Sequence, residues 1–146
     1  MQWLLDTRDK PGLLWAVLRQ CTGDGRVCFE GNLQRLGILA LQGATYDETD
    51  LLKRQTTWPR QDFVILPTSA ETVSTLKRSL SVPGIFNSHV DLYHVQIEYQ
   101  GCLVLGAYDN FHRKCVFARE PVTLALLEEL VSVGVLRSYE QAPDNT

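Results

Sequence analysis

The chain lacks most of the signatures that assign a chemistry at sight. It contains no glycine-rich phosphate loop, no dinucleotide fingerprint and no nucleophile-elbow motif. Nucleotide-driven and hydrolase-type readings therefore have no local support. No C-x-x-C pair occurs, and the four cysteines (Cys21, Cys28, Cys102, Cys115) follow no zinc or disulfide spacing. In a reducing compartment such thiols serve as small core residues. No apolar run approaches the roughly 20 residues of a membrane span. The first eight residues lack a basic region and an apolar core, and Asp6 interrupts them, so they do not read as a secretory signal. A cytoplasmic protein is expected, with no membrane association. A basic excess is lacking too: 14 Lys and Arg face 17 Asp and Glu, a formal charge of −3. Non-specific nucleic-acid binding needs the opposite sign, so no nucleic-acid partner is expected.

What is present is an ordinary globular composition, 45% hydrophobic over 146 residues. That length fits one domain, expected over residues 1–140, with a polar, disordered tail over 141–146. Pro11 suits the first turn of a helix, where its missing N–H has no partner to lose, and Asp9 precedes it. Leu14, Val17, Leu18 and Cys21 recur at helical spacing. Arg26–Glu30 reads as a strand. Residues 42–60 are polar and turn-rich, with a short helix possible over Thr49–Gln55. Phe63–Leu66 is continuously apolar, as a central strand covered on both faces would be. Thr68 and Glu71 have capping-box spacing ahead of a helix with Val73, Leu76 and Leu80 on its stripe. Tyr93, Val95, Ile97 and Tyr99 alternate with His94, Gln96 and Glu98, which predicts one buried and one wet face. Gln100-Gly101 turns that strand into Cys102–Tyr108. Pro121 is expected to open a third helix, Gly134 to close it, and Leu136–Tyr139 to form an edge strand. Hairpins mixed with helices predict an α+β fold: a mostly antiparallel sheet with about three helices packed on one face.

The densest chemistry lies in Tyr108–Cys115, directly after an apolar strand. If this loop were catalytic, Cys115 would be the nucleophile, His112 its base, and Asp109 the group that fixes the imidazole tautomer. The simpler reading makes Asp109-Asn110 a turn, Phe111 an anchor, and Arg113-Lys114 solvated. Binding without chemistry is then expected from Asp109, Asn110, His112 and Arg113, together with His94 and Glu98 on the wet face of the neighbouring strand. Metal ligation by His89, His94, His112 and Cys115 lacks a four-ligand spacing, and no metal or other cofactor is expected. The interleaved segment Lys53–Arg60 could stack Trp58 on a base, but the acidic balance favours Trp58 folding back over apolar surface.

Asp9-Lys10-Pro11-Gly12-Leu13-Leu14 resembles the strand-to-helix turn of ACT regulatory domains, which implies a role in holding an amino-acid effector. The resemblance covers about a dozen residues. The long middle segment and the hairpin-loop-helix ending depart from that family's β-α-β-β-α-β pattern, and the family is not assigned. The expected function is that of a non-catalytic intracellular binding domain for a protein or small ligand, on the scale of a small bacterial regulatory or immunity-type protein. A thiol-dependent enzyme using the Asp109–Cys115 loop is the alternative. A homo-oligomer is possible through the terminal edge strand.

Overall fold

A computed structural model describes residues 1–87 and 91–143. The described strands are β1 (Gln2–Thr7), β2 (Gly25–Gly31), β3 (Asp62–Pro67), β4 (His94–Tyr99), β5 (Cys102–Ala107), β6 (Val116–Arg119) and β7 (Leu136–Ala142). The helices are α1 (Lys10–Gln20), α2 (Ala70–Ser79) and α3 (Leu124–Ser132). The strands form one antiparallel sheet in the order β3-β2-β4-β5-β6-β1-β7, so the fold is α+β. Two similar units build it. The connection β3-α2-β4 brackets β2, β6-α3-β7 brackets β1, and α1 links the two bracketed strands.

All three helices bury their apolar stripes against one face of the sheet. Leu13, Leu14, Val17, Leu18, Leu76, Leu127 and Leu130 share a core with Leu5, Val27, Phe29, Val64, Val95, Ile97 and Val116. The helix ends follow local chemistry. Asp9 caps α1 by accepting from the Gly12 N–H, and Thr123 caps α3 by accepting from Leu126. The cap of α2 is Ser69, one residue beyond the expected Thr68. Thr68 is instead buried, donating to the Cys21 carbonyl and accepting from the Gly25 N–H. Pro121 stands in a turn before α3 and does not open the helix. Gly134, at φ 85°, closes α3 as expected, with the Val135 N–H reaching the Leu130 carbonyl.

The second face of the sheet is covered over only part of its width. Residues 38–61, which contain no helix, cross the β3-β2-β4 end. Leu52, fully buried, makes a second small core with Cys28, Phe63 and Ile65. This cover explains why Phe63–Leu66 is apolar on both faces although β3 is an edge strand, not a central one. A two-bond bridge from Thr45 to Ile65 closes that edge. Among the described residues no comparable segment covers the second face over β6, β1 and β7. Gln141 and Ala142, expected in a frayed tail, pair with Trp3 and Gln2 in β7; residues 144–146 lie outside the described chain. No described helix is long and apolar enough to cross a membrane.

Candidate binding surface

The turn between β5 and β6 is held in an unusual backbone conformation. Asp109, Asn110 and Phe111 have φ of 52°, 53° and 58°, three successive left-handed residues with no glycine among them. An L-residue loses about 1–2 kcal/mol in that region, with Asn and Asp penalised least. The conformation persists because it is tied from both ends. The Tyr108 N–H reaches the Cys115 carbonyl at 2.9 Å, and the Cys115 N–H reaches the His112 carbonyl at 2.7 Å. Asn110 is buried. Its N–H donates to the Tyr93 carbonyl (2.7 Å), its amide nitrogen donates to the Leu92 carbonyl (3.0 Å), and its amide oxygen accepts from the Lys10 ammonium. Phe111 is buried against Phe86, with ring centroids 6.3 Å apart. With those two side chains turned inward, the next three turn out: His112, Arg113 and Lys114 are exposed, as is Asp109.

The expected partners on β4 are placed differently. His94, Gln96 and Glu98 are buried, at 7%, 1% and 9% exposure, so the wet face predicted by alternation is not wet. Each is consumed by the chain itself. Gln96 donates to the Lys53 carbonyl at 2.7 Å. Glu98 pairs with Arg26 at 2.9 Å. Glu30, opposite His94 on β2 and fully buried, accepts from the Gln55 and Thr56 N–H groups at 2.8 and 3.2 Å. His94 and Glu98 therefore support the surface from beneath and are not part of it.

His94 joins the two loops of this face. Its Nδ1 accepts from the Asp109 N–H at 3.1 Å, which leaves the ring hydrogen on Nε2, 2.9 Å from the Thr56 hydroxyl. The neutral Nε2–H tautomer alone satisfies both contacts. Burial pushes the imidazole below its ordinary value, more strongly than Glu30 and Asp109 push it up. The fold thus resists a proton that the unfolded chain accepts. This contribution to stability is complete above the unfolded value of 6.5 and is lost as pH falls through the lower folded value. Thermal denaturation between about pH 7 and pH 5 should show a falling Tm in the wild type. His94→Gln should have a lower Tm at neutral pH and a flatter slope. Equal slopes would remove His94 as the cause.

The same hydrogen bonds bear on catalysis. His94 cannot take a proton from Thr56 while its Nε2 carries one, so this pair is not a nucleophile and its base. Burial pushes the Cys21 thiol up to about 11 and the Cys28 thiol further, keeping both protonated. Cys115 is half-buried, and among the described residues its thiol makes no hydrogen bond to the side chain of His112 or Asp109. The His112 Nδ1 instead accepts from the Lys114 N–H at 3.3 Å. His89 lies outside the described residues, and among those described no three His, Cys, Asp or Glu side chains converge on a metal site.

The exposed cations border the bare half of the sheet. Arg113 and Lys114 overhang an open groove of about 420 Å³ whose other walls are Leu4, Asp6, Ser138 and Glu140. Among the described residues neither cation is paired with a carboxylate. Tyr108, lying over Gly106, and Phe117 continue the surface toward β5 and β6. A Cβ on Gly106 would stand 2.7 Å from the tyrosine oxygen. Sequence reasoning missed the β1 and β7 walls, because only the sheet order brings them beside the turn. It also placed Trp58 against the protein, whereas Trp58 is 85% exposed.

At the turn that resembles ACT domains, Asp9 occupies the helix N-terminus itself and Lys10 is directed to Asn110 and the Phe86 carbonyl. The strands flanking α1 have three other strands between them in the sheet. The chain matches no protein-family model, and no curated protein or solved structure shows significant similarity to it.

Proposed function

We propose that the protein is a non-catalytic binding domain that recognises a protein partner through the exposed side of the 108–115 turn and the bare face of β6, β1 and β7. The observation that carries this reading is the run of three left-handed residues locked by buried Asn110 and Phe111. A turn with no role has no reason to retain such strain, and strained backbone concentrates at functional sites. Here its effect is to hold His112, Arg113 and Lys114 outward in one arrangement, so little entropy is lost when a partner closes on them. The Cys115 thiol has no hydrogen bond to the His112 side chain, whose Nδ1 accepts from the Lys114 N–H instead, which weighs against the enzyme alternative built on this loop.

Quantitative affinity capture with the wild-type chain and with His112→Ala/Arg113→Ala tests it. A partner retained by the wild type should fall at least about tenfold in the double variant, while Tm stays unchanged because both side chains are solvated. Equal retention of every captured protein by the two forms would reject this surface.

A further inference from the structure

The two edges of the sheet are treated differently. Thr45 closes β3, whereas β7 presents seven residues without an internal proline and without a covering segment among the described residues. Its Arg137, Ser138, Glu140 and Gln141 are exposed. An open edge of this length offers unpaired N–H and C=O groups to another strand. The sequence Leu136-Arg137-Ser138-Tyr139-Glu140-Gln141-Ala142 also limits what that strand can be.

When β7 pairs with a copy of itself about a twofold axis, residues on the same face must meet, so the axis passes through a residue. An axis at Arg137 opposes two arginines, and one at Glu140 opposes two glutamates, both unfavourable. Of the axes that oppose no like charges, one at Tyr139 gives the longest overlap, although the register shift at Asp6/Thr7 leaves a bulge at Arg137. It sets Ser138 opposite Glu140, both in the regular part of the strand. Ser138 lies on the second face of the sheet, in the wall of the groove overhung by Arg113 and Lys114. Directly opposed side chains in such a pair stand about 5 Å apart at Cβ. The carboxylate of Glu140 from the other copy therefore arrives beside two cations that lack a partner among the described residues.

We propose that two copies of the chain join their β7 strands antiparallel about Tyr139, continuing one sheet across the pair, with Glu140 of the partner subunit seated against Arg113 and Lys114. This rests on the reading of the 108–115 turn as an ordered recognition surface and identifies a second copy of the chain as one of its occupants.

Sedimentation velocity over a wide concentration range tests it. The wild type should form a reversible dimer that weakens with added salt. Glu140→Lys and Lys114→Glu should each weaken association at least about tenfold, since each places like charges together. An equimolar mixture of the two variants should associate again, because the mixed dimer places opposite charges at both contacts. That restoration also excludes misfolding as the cause of the single-variant losses. A wild type that stays monomeric, variants that associate as the wild type does, or a mixture no stronger than its components would each overturn the pairing. The capture experiment reads His112 and Arg113 against other proteins, so a monomeric wild type leaves the wider binding reading to be decided there.

Discussion

Replacing Glu30 by alanine is expected to detach the cover of the second sheet face and to lower unfolding free energy by about 3 kcal/mol. The carboxylate is fully buried and accepts from two loop amides, Gln55 at 2.8 Å and Thr56 at 3.2 Å. Alanine leaves both donors without an acceptor, and each orphaned group costs about 1–3 kcal/mol. Relief of a buried charge offsets part of that loss. The damage should spread, because Thr56 also meets His94 and Gln96 holds Lys53, so one loop carries several coupled bonds. Denaturant titration gives the magnitude. Hydrogen exchange locates it: the Gln55 and Thr56 amides should lose protection before the strands do. Glu30→Gln keeps an acceptor but sets a donor among donors, and should fall between the wild type and alanine. Unchanged stability in Glu30→Ala would mean that the loop is held by Leu52 and its other hydrogen bonds without this carboxylate.

Asn110→Ala is expected to cost about 3 kcal/mol and to abolish partner capture without touching an exposed residue. It removes the donor to Leu92 and the acceptor for Lys10, and it places a residue poorly suited to φ 53° at the centre of the turn. Glycine separates the two causes. Asn110→Gly loses the same side-chain bonds but accepts positive φ, so it should be about 1 kcal/mol more stable than the alanine variant. Equal stability of the two would show that the left-handed conformation stores nothing. Capture should fail in both variants, since the bonds that aim His112 and Arg113 are gone in both.

A local sequence pattern carries information about the pleat and not about what packs on it. Period-two alternation located β4 and its core residues correctly, because the pleat alone sets which side chains face together. It could not say that the polar face would meet the chain's own backbone some forty residues earlier. Glu30, His94 and Gln96 look solvated in isolation, yet are matched donor by acceptor to residues 53–56. The apolar run at β3 showed that both faces are covered but not that the covering layer is a loop, so an edge strand read as a central one. Thr68 and Ser69 are both competent caps, and only the bond of Thr68 to Cys21 decides between them. The β5–β6 turn stood out in the sequence by its density of polar chemistry. The division of labour within it did not. Asn110 and Phe111 turn inward and His112 to Lys114 turn outward because of three positive φ values, which no spacing rule encodes. The terminal edge strand was legible, whereas the groove beside it needed the sheet order.

Recognition by this surface requires the 108–115 turn to hold one fixed shape in solution. Backbone NMR of the free protein measures this directly, through scalar couplings that report φ and relaxation that reports order. Asp109, Asn110 and Phe111 should all give positive φ, and residues 109–114 should have order parameters near ~0.85, like the strands on either side. Negative φ at these residues, or order parameters below ~0.6 across the turn, would contradict it.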